Sequence, residues 1–336
     1  MKTAGNPLLV LLLVTIAATP LLASPLQAAD TAPSLVRTID LPGVTGRIDH
    51  MDIDLVHSRL LLSALGNGTL EIIDIRTGKV VHEISDLQEP QGSTYLSREN
   101  RILVACGGDG KAYVYDAASW KFIDAIDLGS DADDTFYDAA ADRVFIGHGD
   151  GAFAVIDAKS DKIQADIPLD GHPERFALDA AANKVFVNVP NADEIEVVDL
   201  TAQSVVQRWP MGDLHANFPM TLDAPNHRLF VVCRRPSRLL VMNELTGRII
   251  ANLACVGDAD DMYYDVQRRC IYISGGAGML DVFSQNSADD YALSAAVRTS
   301  PGARTSLYVP TMNMIFIAAR QTAGTNAAIL EYQLGR

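Results

Sequence analysis

Short runs in which apolar and polar side chains alternate recur along the chain, each closed by glycine, asparagine or aspartate. A period of two predicts β-strands, and outside the N-terminus no window sustains the 3.6-residue apolar period of a helix. The first block reads as four strands, at about His50–Leu55, Arg59–Leu65, Thr69–Ile75 and Lys79–Ser85. Gly66-Asn67-Gly68 and Arg76-Thr77-Gly78 separate the last three, both turn sequences that tolerate positive φ. The block then repeats. A basic or amide residue opening an apolar run recurs at Arg59, Arg101, Arg143, Lys184, Arg228, Arg269 and Asn313, with spacings of 42, 42, 41, 44, 41 and 44. An apolar residue followed by Asp or Asn returns at Asp74, Asp116, Asp157, Asp199 and Asn243, about 15 residues after five of the seven opening residues.

Seven copies of a four-strand unit of about 42 residues predict an all-β chain, a seven-bladed β-propeller of antiparallel blades. The seventh copy supplies only three strands, at about Arg304–Val309, Ile315–Arg320 and Ala327–Leu334. Leu35–Leu41 has the pattern of the fourth strands Phe122–Leu128 and Ile163–Leu169, so the N-terminal strand is expected to complete the last blade and close the ring. Closure would also remove an open sheet edge. Residues 30–336 are read as one domain.

The stretch from Asn67 to Val81, with Val185–Asn188 leading through Ile195–Asp199, resembles the YVTN-type propeller repeat. The resemblance covers residues from about 35 to 336. It implies a seven-bladed propeller, often extracytoplasmic, related in architecture to lactonase-like and amine-dehydrogenase-type propellers. WD40 repeats fit less well, because the Gly-His and Trp-Asp marks are missing.

Residues 1–29 read as a cleavable signal peptide. Lys2 precedes an apolar stretch from Leu8 to Ile16, extended through Leu21-Leu22 and ending before Ala28-Ala29. The stretch is short for a membrane span, and no cysteine precedes Cys106 to carry a lipid anchor. A periplasmic or secreted monomer is expected. Only Lys2 among the charges leaves with the leader, so the mature chain carries a net charge near −16. That balance argues against bulk attraction to nucleic acid or an anionic membrane. Cys255 and Cys270 flank the first strand of the sixth unit and could pair, whereas free thiols packed as small apolar residues are the favoured reading. No CxxC, P-loop, dinucleotide loop or GxSxG elbow occurs.

In a propeller the first strand of each blade lines the central channel. Alignment on the repeats places Asp49-His50, Gln91-Gly92, Asp133-Asp134, Glu174-Arg175, Asn217-Phe218, Asp260-Asp261 and Ala303-Arg304 at the channel mouth. The candidate ligand-binding residues are His50, Asp133, Asp134, Arg175, Asn217, Asp260, Asp261 and Arg304. Asp134 and Asp261, three blades apart, should face each other across the channel with Arg175 and Arg304 close by. These charges form either a polar pocket, with arginine holding carboxylate or phosphate and the acids a cation or sugar hydroxyls, or a plug that pairs with itself. His50, His172, His215 and His148 share this rim and, with Asp134 and Asp261, could join a mixed His/carboxylate site for a divalent cation.

Two functions follow. The first is a binding scaffold that takes a small-molecule or protein ligand at the rim. The second is a metal-dependent hydrolase like the lactonase-like propellers, with a cation in the central channel. The resemblance implies Glu, two Asn and Asp as the ligands of that cation. Here the ring offers His, Asp, Arg, Phe and Asp, with Asn217 the lone candidate asparagine.

Overall fold

The computed structural model describes Met1 and residues 32–335. The leader expected over residues 1–29 therefore lies outside the described residues, Met1 apart. Twenty-eight strands form seven four-stranded antiparallel sheets. The first blade runs Met51–Asp54, Arg59–Ala64, Thr69–Asp74 and Lys79–Ile84, each strand trimmed by a residue or so from its sequence-based bounds. The ring closes as expected. The seventh blade is built from Ser306–Val309, Met314–Ala319 and Ala327–Gln333, with Ser34–Leu41 antiparallel to Ala327–Gln333 on its outer side. Ile39 faces Ile329 and Leu41 faces Ala327 across that closing ladder.

The recurring residues of the repeat have physical tasks. Asp74 accepts the amides of Arg76 and Thr77 at 2.9 and 3.0 Å, and Asp199 those of Thr201 and Ala202 at 2.8 and 2.9 Å. Each closes the turn between third and fourth strands as an Asx-turn. The basic residue that opens the second strand reaches the next blade. Arg59 donates to the Ala117 carbonyl at 2.9 Å, and Arg228 to that of Ala288 at 3.1 Å. Arg37 does the same across the closure, donating to the Ile75 carbonyl at 2.8 Å. Arg101 likewise reaches the Lys159 carbonyl at 3.4 Å, so three of the seven marker residues staple their blade to the next.

The hydrophobic core is distributed between adjacent blades. Ile39, Leu41, Phe316 and Ile329 of blade 7 pack with Leu60, Leu62 and Ile73 of blade 1. Each blade buries both faces against its neighbours, so the charged residues concentrate where sheets cannot meet, at the rims and in the channel. Cys255 packs between blades 5 and 6 and Cys270 between blades 6 and 7, and all four cysteines are free thiols.

Candidate functional site

The inner strands begin at one face of the ring, where blade-joining turns set the channel mouth. Close approach there is strict. A Cβ on Gly92 would lie 2.5 Å from the Asp133 carbonyl oxygen, so glycine alone lets blades 2 and 3 meet. Asp131 and Asp258 enter the next turns at φ 41° and 56°, a left-handed conformation that aspartate tolerates better than most residues.

Beneath the mouth, four charged side chains from four blades converge. Arg175 donates to Asp261 at 2.5 Å and to Asp134 at 3.3 Å. His50 lies 3.1 Å from Asp134 and 3.7 Å from Asp261. The second oxygen of Asp261 accepts the Ser306 amide at 2.8 Å. Both carboxylates are withdrawn from solvent, and burial works to raise both. At Asp261 it is outweighed by Arg175 and His50, which pull the carboxyl below its ordinary range. At Asp134 burial prevails despite the same two cations, and the neighbouring Asp133 adds to the rise. Burial works to lower His50, yet Asp134 and Asp261 together hold it well above its ordinary value, so it sits as an imidazolium. Two cations and two acids thus close the channel as a paired plug, the self-neutralising arrangement.

A second layer surrounds the mouth. Arg304 lies 2.9 Å from Asp260 and 3.3 Å from Asp258. Arg234 also pairs with Asp260, donates to the Ala259 carbonyl at 2.7 Å, and stacks 3.5 Å above the Phe218 ring. Arg47 pairs with Asp49 at 2.8 Å. Burial pushes Asp49 up to about 7, opposed by His50 and aided by Asp133. Burial also drives Glu174 well above the carboxylate range, reinforced by Asp133, Asp134 and Asp260. His172 donates from Nδ1 to the Gly149 carbonyl at 2.6 Å and turns Nε2 towards Asp133 at 3.4 Å.

Seven of the eight expected residues meet at the mouth, and two of the eight differ from their expected placement. Arg304 does not join Arg175 beside Asp134 and Asp261, because Asp258 and Asp260 of the adjacent blade are nearer and hold it in the outer layer. Asn217 does not face the channel as a ligand. It is fully buried and spends its amide on Asn188 at 2.8 Å and the Glu194 carbonyl at 2.9 Å, clamping blade 5 to blade 4. Of the histidines, His50 and His172 enter the site. His148 pairs with Asp166 of its own outer strand, and His215 with Asp193. Gln91 and Glu174 lie at the mouth, where the repeat alignment put them, without having been singled out as ligand-binding residues, and Arg234 joins them from the end of the second strand of blade 5, outside the inner strands on which the alignment was read.

Among the described residues, three groups of His, Asp and Glu bring potential ligand atoms within 4.8 Å of one another: His50/Asp133/Asp134, Asp133/His172/Glu174 and Asp170/Glu194/Glu196. In the first, Arg175 already occupies Asp134. In the second, burial works against the His172 imidazolium but the Asp133 and Gly149 hydrogen bonds raise it to about 9, so a cation would have to displace the His172 proton. The third is filled by Arg208, which reaches Asp170 at 2.6 Å.

No protein-family model matches the chain, and no curated protein matches it. Solved structures share the fold. A chain of Kuenenia stuttgartiensis hydrazine synthase aligns with a TM-score of 0.72 at 16% identity, covering 87% of this chain and 96% of that one. A chain of a mitotic checkpoint complex gives 0.76 at 12% identity, covering 96% and 98%. In all, 1795 chains match. The seven-bladed propeller is therefore established as the fold, and the scaffold is too widely used to carry a role with it.

Proposed function

We propose that this chain is an exported propeller of the YVTN kind that binds a small-molecule or protein ligand through the charged rim of its channel mouth. The observation that carries this reading is the division of the mouth into two layers. The inner charges pair with one another, while the outer layer leaves side chains of both signs open: Arg47 is 45% exposed, Asp258 49% and Asp131 53%. Such a rim offers arginine forks to carboxylate or phosphate groups and carboxylates to basic or hydroxyl groups, without dismantling the plug. The plug also weighs against a lactonase-like centre, because the guanidinium of Arg175 lies where a channel cation would need Asp134 and Asp261.

The test is affinity capture from the periplasmic and secreted fractions of the source cells, with wild type and Arg47→Ala/Arg304→Ala as parallel baits. A ligand held by the wild type, lost from the variant and unaffected by chelator is the expected result. Identical captures by both baits would overturn the proposal. Loss on chelation, with lactone hydrolysis restored by one metal, would favour the hydrolase.

A further inference from the structure

The channel continues beyond the plug as a cavity of about 590 Å³ that reaches the opposite face of the ring. That is the size of a small-ligand cleft. His50 and Arg175 line its inner end, and Leu55 and Val56, both exposed, stand at its outer rim. Midway along the channel each inner strand contributes one equivalent residue. Six of these are Thr94, Phe136, Ala177, Thr221, Tyr263 and Leu307, and the seventh is Asp52. One carboxylate therefore interrupts a ring that is otherwise uncharged.

Asp52 accepts the Tyr95 amide at 2.7 Å, and among the described residues no Lys, Arg or His side chain pairs with it. The two cations at the inner end are committed to Asp134 and Asp261. With that plug neutral, the charge left facing the cavity is the carboxylate of Asp52. An anionic ligand would meet repulsion there, whereas a cation would complete a pair that burial otherwise leaves open. The walls suit an apolar body. The Phe136 ring is exposed, and Tyr263 commits its hydroxyl to the Ser306 carbonyl at 2.6 Å, leaving its ring as lining. Aromatic faces near a half-buried carboxylate also favour an ammonium group.

We propose that this cavity, on the face away from the charged mouth, is a binding site for a small organic cation, with its ammonium group against Asp52 and its apolar body between Phe136, Tyr263 and Met220.

The test is calorimetric titration of the intact chain with three probes of one shape: benzylammonium, benzyl alcohol and benzoate. Benzylammonium should bind at a single site about tenfold or more tighter than the alcohol, with benzoate weakest. Asp52→Asn, which keeps an acceptor for the Tyr95 amide, should reduce benzylammonium to the level of the alcohol. Asp258→Asn, which alters the rim of the mouth, should leave the affinity for benzylammonium unchanged. Should Asp52→Asn fail to fold, Thr221→Trp fills the cavity from a half-buried position and should abolish binding of both the ammonium and the alcohol. The proposal is overturned if benzoate equals or exceeds benzylammonium, if the ammonium preference survives Asp52→Asn or binding survives Thr221→Trp, or if Asp258→Asn removes binding. It is equally overturned if benzylammonium shows no saturable binding up to about 10 mM.

Discussion

Arg175 of blade 4 places its guanidinium 2.5 Å from the carboxylate of Asp261, a residue 86 positions further along the chain on blade 6. The same guanidinium reaches Asp134 of blade 3, so one side chain ties together three blades beneath the channel mouth. Replacing it by glutamine would strand two buried acids beside a single imidazolium. Arg175→Gln should cost about 3–5 kcal/mol in chemical denaturation, the usual penalty for breaking a buried pair. A loss below about 1 kcal/mol would show that water already solvates these carboxylates.

The converse substitution separates a plug from a cation site. Asp134→Asn/Asp261→Asn leaves Arg175 and His50 uncompensated, so its melting temperature should fall. Ca²⁺, Mg²⁺ and Zn²⁺ should shift neither protein. A wild-type melting temperature that climbs with one of these ions, against a flat response in the variant, would identify bound metal by mass action.

The mouth also sets a pH dependence. The folded pKa of His172, about 9, lies above its ordinary 6.5 because, against burial, Asp133 and the Gly149 carbonyl favour the imidazolium. Its contribution is fully present below pH 6.5 and is lost as pH rises through about 9. Asp49, raised from 3.8 to about 7 chiefly by burial, adds a loss in the same direction across that lower window. Stability should therefore decline from mildly acidic to alkaline pH. His172→Asn should flatten the part of the decline above pH 6.5 by up to about 2 kcal/mol, after allowance for solvent screening. Denaturation midpoints that decline identically in both proteins would remove His172 from this account.

Removing Ser34–Leu41 should expose the ladder edge of Ala327–Gln333 and the side chains that Ile39 and Leu41 cover. The loss should be a large share of the roughly 5–15 kcal/mol typical of a domain, accompanied by self-association through the open edge. An unchanged melting temperature with monomeric behaviour in light scattering would contradict closure by this strand.

The fold was legible because its rules are local and repeated. Asp74 and its four equivalents recur because an Asx-turn closes the third-to-fourth-strand turn, Arg59, Arg101 and Arg228 because they reach the next blade, and the alternation between them follows from strands buried on both faces. The site was legible only in outline. Counting from the repeat placed His50, Asp134, Arg175 and Asp261 at one level, but no count could say that Arg175 reaches Asp261 while Arg304 turns to Asp258 and Asp260. Those choices depend on side-chain reach across a channel, between residues with no fixed separation in sequence. Asn217 misled for a related reason. Its repeat position is that of a channel residue, but the chain enters its strand through Ala216 at φ 58°, and the side chain turns into the junction with blade 4. Asp52 left a readable mark, as the one charged residue among seven equivalent positions. That mark shows only when the blades are compared with each other at mid-strand.

The pairing of Ile39 with Ile329 should make the last blade the slowest part of the molecule to assemble, because its partners lie far apart in the chain. Every other blade forms from one contiguous stretch of chain, whereas this one must close a loop nearly seven times longer. The added loop-closure entropy is only about 2 kcal/mol, since it grows with the logarithm of length. The thermodynamic cost of joining the ends is thus small, and the kinetic consequence is the larger one. Blades 1–6 can be complete while the seventh still offers two unpaired edges, and in that interval the closing strand of another copy fits as well as the chain's own. Dilution, which favours the intramolecular partner, should therefore govern the yield of closed rings on refolding more than any change in the stability of the finished fold.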